Sequence, residues 1–234
     1  RNMYEGNYEG GAAGQRKMGR VFDSTAISAT QRFANRIQAG LFPPQKAWCR
    51  LEAGSGIPEE QKTQAQAALD AYTERMFEVM RQTNFDLAMG EFLLDLCVGT
   101  AVMMVTPGDE ATPIRFTPIP QYLVSIEEGS FGNVDNVYRK LRMKAEAIPQ
   151  EFPDAEITQE LADAISRSPS KEIDLMDAVI YDYERAIYCY HVIWPNKRQD
   201  LVYRTMKSSP FIVARYMKVA GEIYGRGPLV TAIA

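Results

Sequence analysis

Apolar positions recur every three or four residues through Ala26, Ile27, Thr30, Phe33, Ala34, Ile37 and Leu41, the spacing of one helical face. Asp23 stands where an N-cap belongs, and Phe42-Pro43-Pro44 stops the run because proline restricts the residue before it and cannot donate. The pattern predicts a helix of about five turns. Ala47 to Leu51 then alternates like a short strand until Gly54-Ser55-Gly56 breaks it, with Phe42 and Trp48 read as core anchors. Pro58-Glu59-Glu60 opens a second helix, its acids near the positive end of the dipole and Leu69, Tyr72, Met76, Val79 and Met80 as its buried stripe. Asn84 is placed to cap a third, whose face is Phe85, Met89, Phe92, Leu93 and Leu96 and whose end is Gly99.

Beyond Gly99 the period changes. Ala101 to Val105 is a continuous apolar run of strand length, as expected of a central strand shielded on both sides. Ile114 to Pro118, Tyr122 to Ile126 and Asn136 to Lys144 read as strands, with a turn at Phe131-Gly132-Asn133-Val134. Residues 146–171 are polar and proline-punctuated, with one amphipathic piece from Thr158 to Ile165, and read as a helical insertion. Val179 to Trp194 is strand-like, Pro195-Asn196-Lys197 is a turn, and Leu201 to Met206 and Phe211 to Tyr216 complete a strand-rich second half. Helices first and strands later predict an α+β fold, N-terminal helices packed on a mixed or antiparallel sheet, and not a repeating βαβ chain. Residues 1–22, with Gly6, Gly10, Gly11, Gly14 and Gly19 and no periodicity, read as a flexible arm. At the other end Gly225-Arg226-Gly227-Pro228 precedes Leu229 to Ala234, the opening of a helix with no stop signal. Two apolar turns do not hold themselves together in water, and Arg1 opens the chain, so a region of a larger protein is expected.

Composition narrows the chemistry. The 234 residues are 46% hydrophobic and 24% charged, which suits an ordered globular chain. Cys49, Cys97 and Cys189 are far apart, so neither a disulfide framework nor a zinc knuckle is indicated and a reducing compartment fits. The apolar stretch from Phe85 to Val105 is broken by Asp86, Glu91 and Asp95, so it is not a membrane span. A net charge of -4 argues against a broad grip on nucleic acid, although enclosing it stays open. His191 is the one histidine, in the aromatic run Ile187 to Ile193, and it shares a strand face with Cys189, but a zinc site needs more ligands than these. Glu91 and Asp95 flank an apolar stripe as solvated acids do, and Gly225-Arg226-Gly227 lacks the spacing and lysine of a phosphate loop. No catalytic, cofactor or metal residues are therefore assigned. Strand alternation does put Lys140, Arg142 and Lys144 on one face, either a solvent-facing strand or a stripe turned toward a partner or DNA.

Taken in order, four segments carry a resemblance. They are Asp23-Ser24-Thr25-Ala26 through Leu41-Phe42-Pro43 to Trp48-Cys49-Arg50-Leu51; Asn84-Phe85 through Val98-Gly99-Thr100-Ala101; Phe131-Gly132-Asn133-Val134; and Pro210 to Arg215 followed by Gly221 to Gly227. Across residues 23–234 the chain resembles the portal, or head-to-tail connector, proteins of short-tailed T7-like bacteriophages. That resemblance implies a homo-oligomeric ring of about twelve subunits at one capsid vertex. Double-stranded DNA is driven through such a ring by a terminase, and the tail attaches to it. It implies that residues 23–227 are the wing region, that residues 228–234 start the stem helix, and that Tyr224, Gly225, Arg226, Gly227 and Pro228 form the wing–stem junction, with Arg226 pairing to a carboxylate or to helix carbonyls. Its implied partners are further copies of the chain, major capsid and scaffolding proteins, terminase, tail adaptor proteins and the passing DNA, with no cofactor and no membrane. Its implied place is the virion's portal vertex, and the host cytoplasm during assembly. Two other classes stay open: another virion structural or adaptor protein, and an enzyme domain completed by sequence outside these residues, which a deep pocket gathering carboxylates of raised pKa would favour.

Overall fold

A strand that is apolar on both faces needs a layer on each side, and β1 (Thr100–Pro107) has both. The computed structural model describes residues 24–44 and 46–229, so residues 1–22, read as an arm, Asp23, read as a cap, and residues 230–234 lie outside the described residues; the N-cap position of α1 is Ser24. Three helices come first: α1 (Thr25–Leu41), α2 (Glu59–Arg81) and α3 (Phe85–Val98). After β1 follow β2 (Ile114–Ile119), β3 (Val124–Glu128) and β4 (Val134–Lys144), the short helices α4 (Ile148–Glu151) and α5 (Gln159–Arg167), then β5 (Glu172–Asp182), β6 (Ile187–Trp194), β7 (Gln199–Met206) and β8 (Phe211–Arg215). The strands form two antiparallel sheets, β2-β1-β8 and β3-β4-β5-β6-β7. The fold is α+β.

β1 alternates between two cores. Ala101 and Met103 point to α1 and α3, where Ala34, Phe85, Ala88, Met89, Phe92 and Leu93 are buried with them. Val102 and Met104 point the other way, into a larger core with Val137, Leu175, Val179, Tyr190, Val192 and, from β8, Phe211. The three-stranded sheet is thus the middle layer, with helices on one side and the five-stranded sheet on the other. Each large apolar side chain so buried contributes about 1.5–3 kcal/mol, which is why this strand is nearly free of polar residues.

Several local expectations are corrected by who supplies the hydrogen bonds. Residues 47–51 are extended but pair with no strand. The Leu51 amide donates to Thr73 Oγ1 at 3.0 Å and the Ala53 amide to Gln66 Oε1 at 3.1 Å, so side chains of α2 satisfy the backbone that alternation assigned to a sheet. The buried line of α2 is Thr73 and Phe77, with Tyr72 exposed, because α2 meets the body through Trp48, whose ring lies 5.4 Å from Phe77 and 6.0 Å from Phe85. Asn84 stands at the N-cap of α3, where its carbonyl accepts from the Ala88 amide at 3.0 Å, but its side chain does not cap the helix. Its Nδ2 donates to the Phe116 carbonyl at 2.6 Å and its Oδ1 accepts from the Phe116 amide at 3.0 Å, closing part of the β2 edge. The run Val179 to Trp194 is the second half of β5, a turn and β6, since Asp182 Oδ1 accepts from the amides of Glu184 and Arg185 and Ala186 takes φ 54°. The segment 146–171 is less polar in place than in composition: Ile148, Phe152 and Leu161 are buried in the larger core, and β5 begins directly after it at Glu172, seven residues before the strand read from Val179.

Candidate functional site

Where the chain leaves the body, backbone packs on backbone. β8 ends opposite Thr100, and the Tyr216 amide donates to the Gly99 carbonyl at 2.9 Å. The chain then turns back so that the Arg226 amide donates to the Met217 carbonyl at 2.9 Å, a single antiparallel bridge, and the Gly225 amide donates at 2.8 Å to Oγ1 of the wholly buried Thr100. A Cβ on Gly99 would overlap the Gly225 carbonyl, one on Gly225 would overlap the Gly99 carbonyl, and one on Gly227 would overlap the carbonyls of Cys97 and Val98. Gly99 also ends α3 at φ 148°, which side chains rarely adopt. Gly99 and, more than a hundred residues later, Gly225 and Gly227 thus form one seam between the α3 end and the exit segment. Pro228 and Leu229 are helical, and Leu229 is buried.

Of the junction residues read from the sequence, Gly225 and Gly227 form this seam. The Tyr224 hydroxyl donates to the Val124 carbonyl at 3.4 Å, so it touches the five-stranded sheet. Arg226 is half exposed and forms a bidentate pair with Glu222, its Nε donating to Oε2 at 2.9 Å. That pairing lowers the Glu222 carboxyl below its ordinary value and raises the guanidinium.

Other members of the junction are not marked by motif. Arg215 closes β8 with its side chain almost buried. Its guanidinium meets the Glu128 carboxylate, the Gly132 carbonyl and the Ile223 carbonyl, and Lys218 Nζ lies 2.5 Å from the same carboxylate. Those two cations, Lys218 foremost, hold Glu128 below the usual carboxylate range. The one sequence signal was a charged residue closing the apolar run Phe211 to Ala214, with nothing to say what it would meet.

The stripe Lys140, Arg142 and Lys144 is exposed on the outer face of β4 as alternation placed it. It is a ladder of mixed charge: Arg142 Nε donates to Asp174 Oδ1 at 2.6 Å and lies 3.8 Å from Glu172, Lys144 is 4.0 Å from Glu146, and Lys140 stands opposite Met176. His191 pairs with Asp200 at 2.7 Å and stacks near Tyr203, whose hydroxyl is 3.5 Å from Cys189. Glu91 is exposed, while Asp95 accepts from the Gln121 amide at 3.2 Å. Among the described residues no group of three or more His, Cys, Asp or Glu is placed to hold a metal ion.

Burial pushes the Asp177 carboxyl above its usual range. It lies on the inner face of β5, wholly buried, held by Arg139 Nε at 2.8 Å and by the Tyr190 hydroxyl at 3.2 Å, with the Arg139 guanidinium 5.9 Å from the Phe211 ring. The hydrogen bonds tie β4, β5 and β6 of the five-stranded sheet together, and the Arg139–Phe211 contact reaches across to the three-stranded sheet. Among the described residues no helix is long and apolar enough to cross a membrane.

A family model described as bacteriophage head to tail connecting protein matches residues 2–234. No curated protein matches the chain.

Proposed function

The chain belongs to the bacteriophage head to tail connecting proteins, a structural family and not an enzyme family, and from that premise we propose that it is the wing region of a portal subunit. In this reading about twelve copies close a ring at one capsid vertex, DNA enters and leaves through it, and the tail attaches to it. Residues 23–227 are the wing and Tyr224 to Pro228 the passage into the stem. Capsid and scaffolding proteins, terminase and tail adaptors are the partners, and the working place is the portal vertex, reached by assembly in the host cytoplasm.

The observation that carries the reading is the glycine seam. A chain exit held by carbonyls against Cα atoms, without intervening side chains, suits a part that keeps one geometry through every copy of a ring. The mild acidity suits a wall that DNA slides past, since each neutralised phosphate adds affinity and resists sliding. The acids beside Arg142 and Lys144 favour the solvated reading of that stripe over a DNA-facing one.

Electron microscopy of the full-length protein tests this. Closed rings with a central passage support the portal reading. A strictly monomeric protein refutes it, and an open filament or a plug without a passage replaces it with another virion structural role. Lys140→Glu with Arg142→Glu is expected to leave ring formation unchanged; loss of rings with an intact fold would return the stripe to the interface.

A further inference from the structure

The Arg215 side chain meets four places along the chain at once. Its backbone ends β8 in the three-stranded sheet, opposite Thr100. Its NH1 meets Glu128, the last residue of β3 in the five-stranded sheet, and also the Ile223 carbonyl at 3.2 Å, two residues before Gly225. Its NH2 donates to the Gly132 carbonyl at 2.7 Å, in the turn between β3 and β4. The side chain is 13% exposed and Glu128 21%, so the cluster is largely shielded from water. Gly225 lies against the same residue, for a Cβ there would stand 2.9 Å from Arg215 Cβ.

We propose that Arg215 is the positioning residue of the exit: its planar fork registers the β3–β4 turn against Ile223 and so sets the direction in which the chain leaves at Pro228. The inference rests on the reading of residues 224–228 as the passage from wing to stem, and it adds the device that aims that passage. The need is for arginine and not for charge. A guanidinium offers five donors in a fixed plane and reaches a carboxylate on one side while bonding carbonyls on the other; an ammonium is one nitrogen on a flexible stem and satisfies Glu128 without spanning to Gly132 and Ile223. Lys218 already supplies an ammonium to Glu128, at 2.5 Å, so lysine at position 215 would repeat a contact that exists and restore none of the registration.

The test is amide hydrogen exchange, read residue by residue on the wild-type chain and on Arg215→Lys, Arg215→Gln and Glu128→Gln. The Gly225 and Arg226 amides, bonded to Thr100 and Met217, report the exit, and the paired β5 and β6 amides at Val179 and Tyr190 report the global fold. Both Arg215 variants are expected to speed exchange at Gly225 and Arg226 about tenfold or more while the β5 and β6 amides change less than about threefold. Glu128→Gln keeps both carbonyl contacts and is expected to speed the exit amides by a smaller factor, which keeps the test open if Arg215→Gln does not fold. Exit amides that are unchanged, that move in step with the core, or that recover fully in Arg215→Lys each overturn the proposal. Ring formation by the same full-length variants separates the two readings. If the wild type forms no rings but its exit amides respond, the portal reading fails and the positioning role stands; if rings form and the amides do not respond, the reverse holds.

Discussion

Gly227→Ala adds one methyl group at a place where the structure has no room for it. The Cβ would overlap the Cys97 and Val98 carbonyls, both backbone atoms in the last turn of α3, which cannot swing aside as a flexible side chain would. Position 227 has no positive φ, so the cost is steric alone. Relief requires the exit segment to back away by roughly 1 Å, a displacement that costs about 1–3 kcal/mol as overpacking in tight structure. It also stretches the Gly225–Thr100 and Arg226–Met217 hydrogen bonds, each worth about 0.5–1.5 kcal/mol. The sum centres on about 4 kcal/mol, which for a chain of this length lowers the melting temperature by about 8–16 °C. Gly56→Ala is the matched control, since nothing lies within 4 Å of a Cβ there. Its expected effect is neutral or stabilising by up to about 1 kcal/mol, through reduced freedom of the unfolded chain. Thermal melts followed by circular dichroism decide the matter. A Gly227→Ala protein melting within about 1 °C of the wild type would show that the seam is not tight and would remove the basis for assigning it a positional role.

Three further outcomes are expected. Asp177→Asn leaves the nearly buried Arg139 without its carboxylate and should cost about 3–5 kcal/mol in urea titrations, whereas Asp177→Leu combined with Arg139→Met should cost far less, because two apolar groups leave no buried charge. Glu128 and Glu222 have carboxyls lowered by their cationic partners, so their contribution is present above the unfolded value of about 4.3 and is lost as pH falls through the lower folded value. Exchange at Gly225 and Arg226 should therefore be steady from pH 7 to 5, after correction for intrinsic rates, and rise below about pH 4, with Glu128→Gln flattening that rise. Asn84→Ala removes both bonds to Phe116 and should loosen the start of α3, seen as faster hydrogen exchange of the Ala88 amide; unchanged exchange there would mean that the Asn84 bridge does not anchor that helix.

What could be read from the sequence depended on whether a residue's partner was local. β1 was legible because burial on both faces writes an unbroken apolar run into consecutive residues. α3 was legible from its spacing and from Asn84 at its N-cap, although that residue's side chain serves a strand 32 residues away. The β5–β6 hairpin was hidden because its turn uses Asp182 as an acceptor and Ala186 at positive φ, with neither glycine nor proline to mark it. Residues 47–51 carried the alternation of a strand, but alternation reports which side chains are covered and not what bonds the backbone, here Thr73 and Gln66. The exit showed its glycines, while their reason lay at Gly99, more than a hundred residues earlier. Arg215 was silent because its acceptors sit 87, 83 and 8 residues away.

These attachments differ in kind, and the difference says how the exit moves. To the helical layer it is joined by backbone contact: Gly227 lies on the α3 end, and α3 is packed on α1, which reaches β8's end through the Phe33–Tyr216 ring pair at 5.7 Å. Rotating the exit therefore carries α1, α3 and the three-stranded sheet with it, because close-packed backbone has no soft coordinate to absorb the turn. To the five-stranded sheet it is joined by side chains, the Arg215 fork and the Tyr224 hydroxyl, whose rotamers can yield. The exit's freedom relative to the five-stranded sheet is therefore set by these side chains, while the two sheets themselves stay joined through the shared core of Val102, Met104 and Phe211. Substitutions along the seam should lower the stability of the whole, while substitutions at Arg215 should leave the whole intact and loosen only its aim.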